Sequence, residues 1–191
     1  MHAKSKLWIA VIAAVTLVTA IPASATMLLQ MQLGDLVQRA DTIFRGTVID
    51  VEQSSIEVGG GELPMVVYRL RVDELVKGEA DVVKGDEAYI EIRMVGSIKD
   101  SVKVGDAEKF SVFRDVPRLT MGSDYVLFMT PESPVGLSVT VGLGQGAFSV
   151  YSTDKTEYAV NLFDNAGLGL GDGGAVSYAD LMAAVKGLMG Q

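Results

Sequence analysis

The sequence has no cysteine, and its single histidine and single tryptophan both lie within the first eight residues, as His2 and Trp8. The rest of the chain therefore carries no thiol, imidazole or indole. This excludes Cys–His and Ser–His nucleophilic catalysis, zinc sites built from histidine or cysteine, and structural disulfides. Carboxylates, hydroxyls, amines, guanidinium groups and the backbone are left for chemistry, and packing alone must hold the fold together.

The N-terminus has the three parts of an export signal of the bacterial type. Two lysines within the first six residues form a charged start, residues 7–21 are apolar, and the small residues at 22–25 are typical of a cleavage site. We expect cleavage between Ala25 and Thr26 and an exported product, periplasmic or secreted. An uncleaved anchor is the alternative, but the apolar stretch of 15 residues is shorter than the roughly 20 that span a bilayer.

Acidic residues outnumber basic ones, and the net charge of the whole chain is −8. Cleavage removes two lysines and no acid, so the net charge of residues 26–191 becomes −10. An acidic surface repels phosphate backbones, so we expect no nucleic-acid partner, and we expect the mature form not to span a membrane. Its 166 residues are enough for one hydrophobic core, so residues 26–191 are predicted to form a single domain.

Apolar residues recur at strand spacing through most of the chain. Residues 66–73 and 88–95 alternate with period two, as half-buried strands do, and residues 125–129 are apolar on both faces, as in a central strand. Further strands are predicted over residues 43–51, 137–141, 147–151 and 158–162. Regular turn signals between short strands favour an antiparallel β protein over a βαβ fold.

Turn and cap residues complete the predicted architecture. Residues 59–64, of sequence Gly-Gly-Gly-Glu-Leu-Pro, predict a hairpin turn in which the glycines allow positive φ and Pro64 ends the ladder. Apolar stripes predict a short N-terminal helix over residues 33–40 and a C-terminal helix over residues 177–190, for which Ser177 and Asp180 supply an N-cap. We expect mostly β structure with minor α, arranged as a small antiparallel barrel.

Three segments carry a resemblance to known proteins: residues 40–48 (ADTIFRGTV), residues 68–78 (YRLRVDELVKG) and residues 122–128 (GSDYVLF). Together they resemble a broad group of uncharacterised exported bacterial proteins. That group is similar to the oligonucleotide/oligosaccharide-binding (OB)-like barrel of the netrin-like module and of the tissue inhibitors of metalloproteinases. The resemblance covers about residues 33–130, more weakly to Leu162, rests on strand patterns, and implies an OB-like fold.

The same resemblance does not extend to the inhibitory chemistry of that family. The inhibitors resemble one another in an N-terminal cysteine whose amine and carbonyl chelate the protease zinc and whose disulfide fixes that geometry. Thr26 would stand first here, and no disulfide can form. An unpinned terminus loses conformational entropy on binding, so we do not expect inhibition by that mode.

Two sequence patterns match catalytic motifs without the structural context that those motifs need. The glycine-rich residues 142–147 fit a dinucleotide-binding pattern, but the next residues are predicted to form a strand, whereas a pyrophosphate needs a helix N-terminus. We expect a tight turn or bulge there. Tyr151 and Ser152 are spaced from Lys155 as in two motifs that depend on a helix. We therefore assign no catalytic residue and expect no cofactor.

The acidic residues leave two further hypotheses. The glycine-rich loop over residues 164–176 offers oxygen ligands for calcium without the spacing of an EF-hand, so we expect a flexible connection there. The candidate calcium ligands are Asp164, Asn165 and Asp172. The acids on which a carboxylate-dependent hydrolase would draw are Asp73, Glu74, Glu87 and Glu91. Nothing singles out two of them, and Glu91 alternates with apolar neighbours and should face solvent.

These observations leave two classes of function. The first is an exported, non-catalytic binding or interaction domain whose partner is a protein or a glycan. The second is a small hydrolase that depends on carboxylates or on a divalent metal. The limited set of reactive groups favours the first. Its candidate surfaces are the hairpin tip at residues 59–64 and the long segment over residues 97–120, which holds Phe110, Phe113 and Pro117. We expect Phe110 and Phe113 to pack into the core beneath an irregular segment.

Overall fold

A computed structural model describes residues 29–99, 101–104, 107–110 and 115–190, the second and third of these ranges by their backbone only. The predicted export signal and Thr26 lie outside this part of the chain. The strands are β1 (Thr42–Val58), β2 (Gly61–Lys77), β3 (Val82–Lys84), β4 (Glu87–Val95), β5 (Ser101–Val104), β6 (Ala107–Phe110), β7 (Asp124–Met129), β8 (Ala147–Thr153), β9 (Thr156–Asn161) and β10 (Val176–Ser177). The helices are α1 (Leu33–Arg39), a 3₁₀-helix (Leu143–Gly146) and α2 (Tyr178–Met189).

Eight of these strands form one antiparallel sheet in the order β10-β9-β8-β7-β1-β2-β4-β3, and β5 pairs with β6 in a separate hairpin. The predictions of mostly β structure and of one helix near each end are confirmed. The sheet is open, with β10 and β3 at its edges, so the predicted closed barrel is not confirmed.

The sheet separates two hydrophobic cores, as the alternation of side chains along its strands requires. Ile43, Val126 and Phe128 point to the face that α1 and α2 cover, which we call the helical face. Their neighbours Phe44 and Leu127 point to the opposite face, where side chains of β4 join those of β7 in one cluster although two strands lie between them. The sheet therefore curves around this opposite face, which we call the inner face.

Residues 137–141 cross the open side of the curved sheet. The prediction of a strand there was wrong, because the segment makes one isolated bridge, between Thr140 and Met129. The amide of Ser138 also donates to the carbonyl of Arg93 in β4 at 3.0 Å. The segment thus connects the end of β7, through two backbone hydrogen bonds, with β4, through one, and a continuous ladder that would close the barrel does not form.

The predicted hairpin is present and is longer than expected. β1 and β2 have 17 residues each and pair in register up to Val58 and Gly61, on either side of Gly59 and Gly60. Both turn glycines have positive φ, as a two-residue hairpin turn requires. The prediction that Pro64 ends the ladder was wrong, since Pro64 lies within β2 opposite Ser55.

Gly46 allows two strands to approach closely at an irregularity of the sheet. The register between β1 and β2 shifts between Arg45 and Gly46, which marks a bulge. A Cβ atom at Gly46 would lie 2.6 Å from the backbone carbonyl oxygen of Arg71, closer than atoms in proteins pack. The glycine therefore permits the bend that carries the second half of β1 away from β7.

The helices follow their predicted patterns. Ser177 is the N-cap of α2, and its side chain accepts a hydrogen bond from the amide of Asp180 at 3.1 Å. Lys77 reaches from β2 to the C-terminal end of α1, where its ammonium group donates to the carbonyls of Val37 and Ala40. Within residues 29–190, where the structure describes them, no helix has both the length and the apolar character that a bilayer crossing requires.

Candidate functional site

The predicted hairpin tip belongs to an extension of the sheet that its neighbouring strands do not follow. β7 borders β1 only from Thr42 to Thr47, and β4 borders β2 only from Met65 to Val72. Residues 50–65, which we call the distal hairpin, run on beyond β7, and past Ser54 and Met65 they also leave the ladder with β4 and continue as a two-stranded ribbon. The Gln53 side chain and the Pro64 carbonyl accept hydrogen bonds from the residues that follow β4, and the outer edge of β1 in this hairpin borders no strand of the sheet that the structure describes.

Two hydrogen bonds define the direction of the backbone groups in the distal hairpin. The amide of Val51 donates to the carboxylate of the preceding residue, Asp50, at 3.0 Å. The carbonyl of Pro64 accepts from the amide of Gly96, on the side away from β1, at 3.0 Å. Because both backbone groups of a strand residue point to the same side, the nitrogen of Pro64 also faces away from β1. The missing N–H of Pro64 therefore removes no hydrogen bond from the ladder between β1 and β2.

The directions of the remaining backbone N–H and C=O groups of β1 follow from the alternation along a strand. Residues of an antiparallel strand turn their N–H and C=O groups to one side and the other in succession. Ser55, opposite Pro64, and Val51 therefore direct these groups away from β2, and so does Gln53 between them. Ser54 and Ile56 direct theirs toward β2. The outer edge of β1 thus carries a regular row of backbone donors and acceptors, in which the Val51 amide already donates to the Asp50 carboxylate.

The side chains of the distal hairpin are acidic and partly apolar. Asp50, Glu52, Glu57 and Glu62 are all exposed, and the sequence has no lysine or arginine between Arg45 and Arg69. A strip of half-buried apolar side chains shares one face of β1, of β2 and of the end of β4. Its members are Ile56, Leu63, Met65, Val67 and Val95. They belong to neither of the two clusters that the described residues form.

A groove lies on the open side of the sheet, with a volume of about 380 Å³. Its floor is apolar, from Ile90, Ile92 and Met129. Its acidic side chains are Asp41, Glu79, Asp81, Glu91 and Glu132. Among the residues that the structure describes, no three His, Asp or Glu side chains are placed to share a metal ion.

The most connected ionic cluster lies on the helical face and centres on Arg45. Its guanidinium group makes two hydrogen bonds to the Glu157 carboxylate, at 2.6 and 2.8 Å, and one to Asp124 at 3.3 Å. It also stacks over the ring of Tyr178, 4.6 Å from the centroid, and only 16% of its side chain is exposed. The Tyr178 hydroxyl donates to Glu74, at 2.6 Å. The cluster thus joins β1, β2, β7, β9 and the start of α2.

The protonation equilibria of this cluster follow from its contacts. Hydrogen bonds from Arg45 hold the pKa of Glu157 below its ordinary value, and Lys186, with Tyr178, does the same for the pKa of Glu74. Burial and the hydrogen bond to Glu74 raise the pKa of Tyr178 to about 12. At neutral pH both carboxylates are therefore ionised and Tyr178 is neutral. This state stabilises ion pairs but supplies no carboxylic acid for proton transfer.

We expect the melting temperature of the protein to fall in acid, and Glu157→Gln to make that fall shallower. A folded-state pKa below the ordinary value of 4.5 contributes stability that is present above that value and is lost as the pH drops through the folded pKa. Thermal unfolding followed by circular dichroism over a range of acidic pH measures the effect. An unchanged slope in Glu157→Gln would show that the Arg45 ion pair does not govern acid stability.

The four acids considered for a hydrolase each have different hydrogen-bond partners. Asp73 accepts hydrogen bonds from Thr47 and from Arg71, at 3.1 and 3.3 Å. Glu74 belongs to the Arg45 cluster, and Glu87 accepts from the Tyr89 hydroxyl at 2.6 Å. Glu91 alternates with the buried Ile90 and Ile92 as expected, and its side chain, 31% exposed, pairs with Arg69 and Arg93. These two arginines lower the pKa of Glu91, so that it too is an anion at neutral pH.

The three candidate calcium ligands have different surroundings. Asp164 and Asp172 are exposed, and Asn165 is buried, with 2% of its surface accessible. The Asn165 side chain accepts from the amide of Asn161 and donates to the carbonyls of Ala159 and Gly174, at distances of 2.8–2.9 Å. It therefore ties the glycine-rich loop to β9. Calcium binding by this loop stays a prediction.

A second buried amide extends this network toward the N-terminal segment. The side chain of Asn161 donates to the carbonyl of Gln145 at 3.0 Å. The side chain of Gln145 in turn accepts from the amide of Met31 and donates to the carbonyl of Leu29, at 2.8 and 3.0 Å. Gln145 belongs to the glycine-rich residues 142–147, which form a 3₁₀-helix followed by β8. The predicted tight turn is thus confirmed, with β8 in place of the helix that a pyrophosphate site needs.

The remaining residues considered from the sequence lie in β8, in the turn after it and in the segment 97–120. Tyr151 and Ser152 lie in β8 and Lys155 in the following turn, and the Tyr151 ring stacks on Tyr158 with centroids 5.9 Å apart. Within the segment 97–120, Pro117 lines a small cavity with Tyr68, whose pKa burial raises. The segment also forms the β5–β6 hairpin. The side chains of Phe110 and Phe113 lie outside the described residues.

Comparison with known proteins adds no assignment. No model of a known protein family and no curated protein matches this chain. The resemblance to netrin-like modules stays a prediction that rests on strand patterns. The chain's own geometry, above all the open edge and the charge of the distal hairpin, must therefore support any functional proposal.

Proposed function

We propose that this chain is an exported, non-catalytic binding domain, and that the distal hairpin is its recognition element. The partner classes that the sequence favours are a protein and a glycan. The proposal includes export after cleavage between Ala25 and Thr26 and an architecture related to the OB-like barrel, with one side of the barrel open. The apolar floor of the groove on that open side and the curvature around the inner face support this relationship.

The length of the β1–β2 hairpin is the observation that carries the proposal. Residues 55–58 and 61–64 extend past the strands that border the hairpin, and their side chains lie outside both hydrophobic clusters. Ordering these residues costs roughly 1–2 kcal/mol each in backbone entropy. Because their packing contributes little to the cores, a recognition surface explains them better than a role in stability does.

The hydrolase alternative has weaker support from the same structure. A carboxylate hydrolase of the usual kind needs one carboxylic acid with a raised pKa as a proton donor. The pKa values of Glu74, Glu91 and Glu157 are instead lowered by their cationic partners. These acids are thus placed to hold arginine and lysine side chains.

The proposal is tested with a variant that lacks residues 55–58 and 61–64. The deletion removes four cross-strand pairs, so Ser54 and Met65 come to flank Gly59 and Gly60 with unchanged strand parity. We expect the variant to keep its melting temperature to within a few degrees, because both cores are intact. Immobilised full-length chain is expected to retain a protein or glycan from an exported fraction, and the deletion variant is expected to lose it.

Two outcomes would count against the proposal. Equal retention by both chains would place recognition elsewhere on the molecule. A large fall in the melting temperature of the deletion variant would show that the distal hairpin has a role in stability. A shift of the full chain's melting temperature on adding calcium or zinc, reversed by EDTA, would favour the metal-dependent alternative, since a ligand of the native state stabilises it.

A further inference from the structure

Among the residues that the structure describes, the outer edge of β1 in the distal hairpin has no strand beside it. On the side of β1 away from β2, Val48 exchanges hydrogen bonds with the loop before β7, its amide donating to the carbonyl of Ser123 and its carbonyl accepting from the amide of Gly122. Past Val48, none of the strands that the structure describes pairs with this edge, and β5 and β6 pair only with each other. The backbone groups of Val51, Gln53, Ser55 and Glu57 point outward along it, as the alternation derived above requires.

This edge carries one feature by which proteins usually protect an exposed strand, acidic side chains, and lacks the others. Such edges are commonly blocked by lysine, by proline, by a bulge or by being very short. Residues 49–58 contain no lysine and no proline. The last register shift of the hairpin lies at Val48 and Asp50, so the pairing of residues 50–58 is regular. An edge of this length and regularity is a template for another strand.

The negative charge of the distal hairpin indicates which kind of strand can bind at the outer edge of β1. Asp50, Glu52, Glu57 and Glu62 place four carboxylates along the distal hairpin. Asp50 contacts Arg69 at 3.5 Å, and no basic residue lies between Arg45 and Arg69 to pair with the other three. A second copy of this acidic chain would bring the same charges together, which is unfavourable. Lysine and arginine side chains on an added strand would instead lie beside Glu52 on one face and Glu57 on the other.

We propose that the outer edge of β1, from Val51 to Glu57, binds an extended, basic segment of a partner protein by adding it to the sheet as a further strand. This inference rests on the proposed binding function and narrows it to a protein partner. Backbone hydrogen bonds from Gln53 and Ser55 supply the pairing, and the acidic side chains supply the preference for basic sequences. The apolar strip of the hairpin, which includes Ile56, gives alternate side chains of the partner an apolar neighbour.

The test uses the full chain and two synthetic peptides of about nine residues, the length of an ordinary strand. One peptide alternates threonine with lysine and the other alternates threonine with glutamate. We expect isothermal titration calorimetry to show binding of the lysine peptide, at least about tenfold tighter than the glutamate peptide and weaker at high salt. No binding of the lysine peptide, or equal binding of both peptides, would overturn the proposal.

A pair of substitutions at one position separates strand addition from simple charge attraction. Ser55→Pro removes an outward N–H and leaves the ladder to β2 intact, because edge positions tolerate proline. We expect this variant to bind the lysine peptide about tenfold more weakly, and the control Ser55→Thr to bind like the natural chain. Equal binding by Ser55→Pro would mean that the acids attract the peptide without strand pairing, which overturns the proposal. If the peptide results are negative while the deletion variant still loses its captured partner, the proposed function stands and this inference alone fails.

Discussion

Replacing Asn165 with alanine is expected to lower the free energy of unfolding by about 3 kcal/mol in urea denaturation. The Asn165 side chain makes three hydrogen bonds: buried ones with the amide of Asn161 and the carbonyl of Ala159, and a partly buried one with the carbonyl of Gly174. Alanine supplies none of them, and a buried group without its partner costs about 1–3 kcal/mol. Alanine must also adopt the positive φ of 56° found at this position, which asparagine tolerates better.

The neighbouring residue offers a matched control. Asp164 has nearly the same backbone conformation, with φ of 55°, but its side chain is exposed. Asp164→Ala should therefore cost only the backbone strain, about 1 kcal/mol. Both variants are measured in EDTA, so that any bound calcium does not contribute. Equal losses at the two positions would assign the effect to the backbone and would contradict a structural role for the Asn165 amide.

Arg45→Met is expected to lower the free energy of unfolding by about 2 kcal/mol. The substitution removes the paired hydrogen bonds to Glu157, the bond to Asp124 and the stacking on Tyr178. It leaves two carboxylates close together on β7 and β9, although both are partly exposed and regain some hydration. The Nε atom of Arg45 is buried and has no hydrogen-bond partner among the described residues, which offsets a part of the gain.

Arg69→Met is the control for a surface ion pair. Arg69 also contacts two acids, Asp50 at 3.5 Å and Glu91 at 3.2 Å, but 48% of its side chain is exposed. Exposed pairs of this kind contribute about 0–1 kcal/mol, so this variant should unfold close to the natural chain. If Arg45→Met were as mild as Arg69→Met, the cluster at the start of α2 would be an ordinary surface network.

Local pattern alone predicted the elements whose stability comes from one buried face. The alternation over residues 66–73 and 88–95 gave β2 and β4, and the stripe over residues 178–189 gave α2 with its Ser177 cap. These elements were predictable because period and capping chemistry depend on neighbours in the chain. Whether the sheet closes depends on contacts between distant strands. For that reason the open side between β4 and residues 137–141 was not predicted.

Other features were missed because they depend on the direction in which a backbone group or a side chain points. Pro64 was predicted to end the hairpin because proline lacks an N–H, yet at an outward position that donor is not needed. Asn165 was considered for its oxygen as a calcium ligand, which stays a prediction, and the sequence did not show that its buried amide completes backbone hydrogen bonds. Arg45 was overlooked, although a charged residue that alternates with the apolar Ile43 signals a partner on the buried face.

Amide hydrogen exchange along β1 of the free full-length chain tests the central claim most directly. The account predicts an alternating pattern in the distal hairpin, with fast exchange at Gln53 and Ser55, whose N–H groups face outward, and slow exchange at Ser54 and Ile56, whose N–H groups pair with β2. Uniformly slow exchange at all four amides would show that another part of the chain already covers this edge. The distal hairpin would then be an internal element of the fold, and the proposal that it recognises a partner would be wrong.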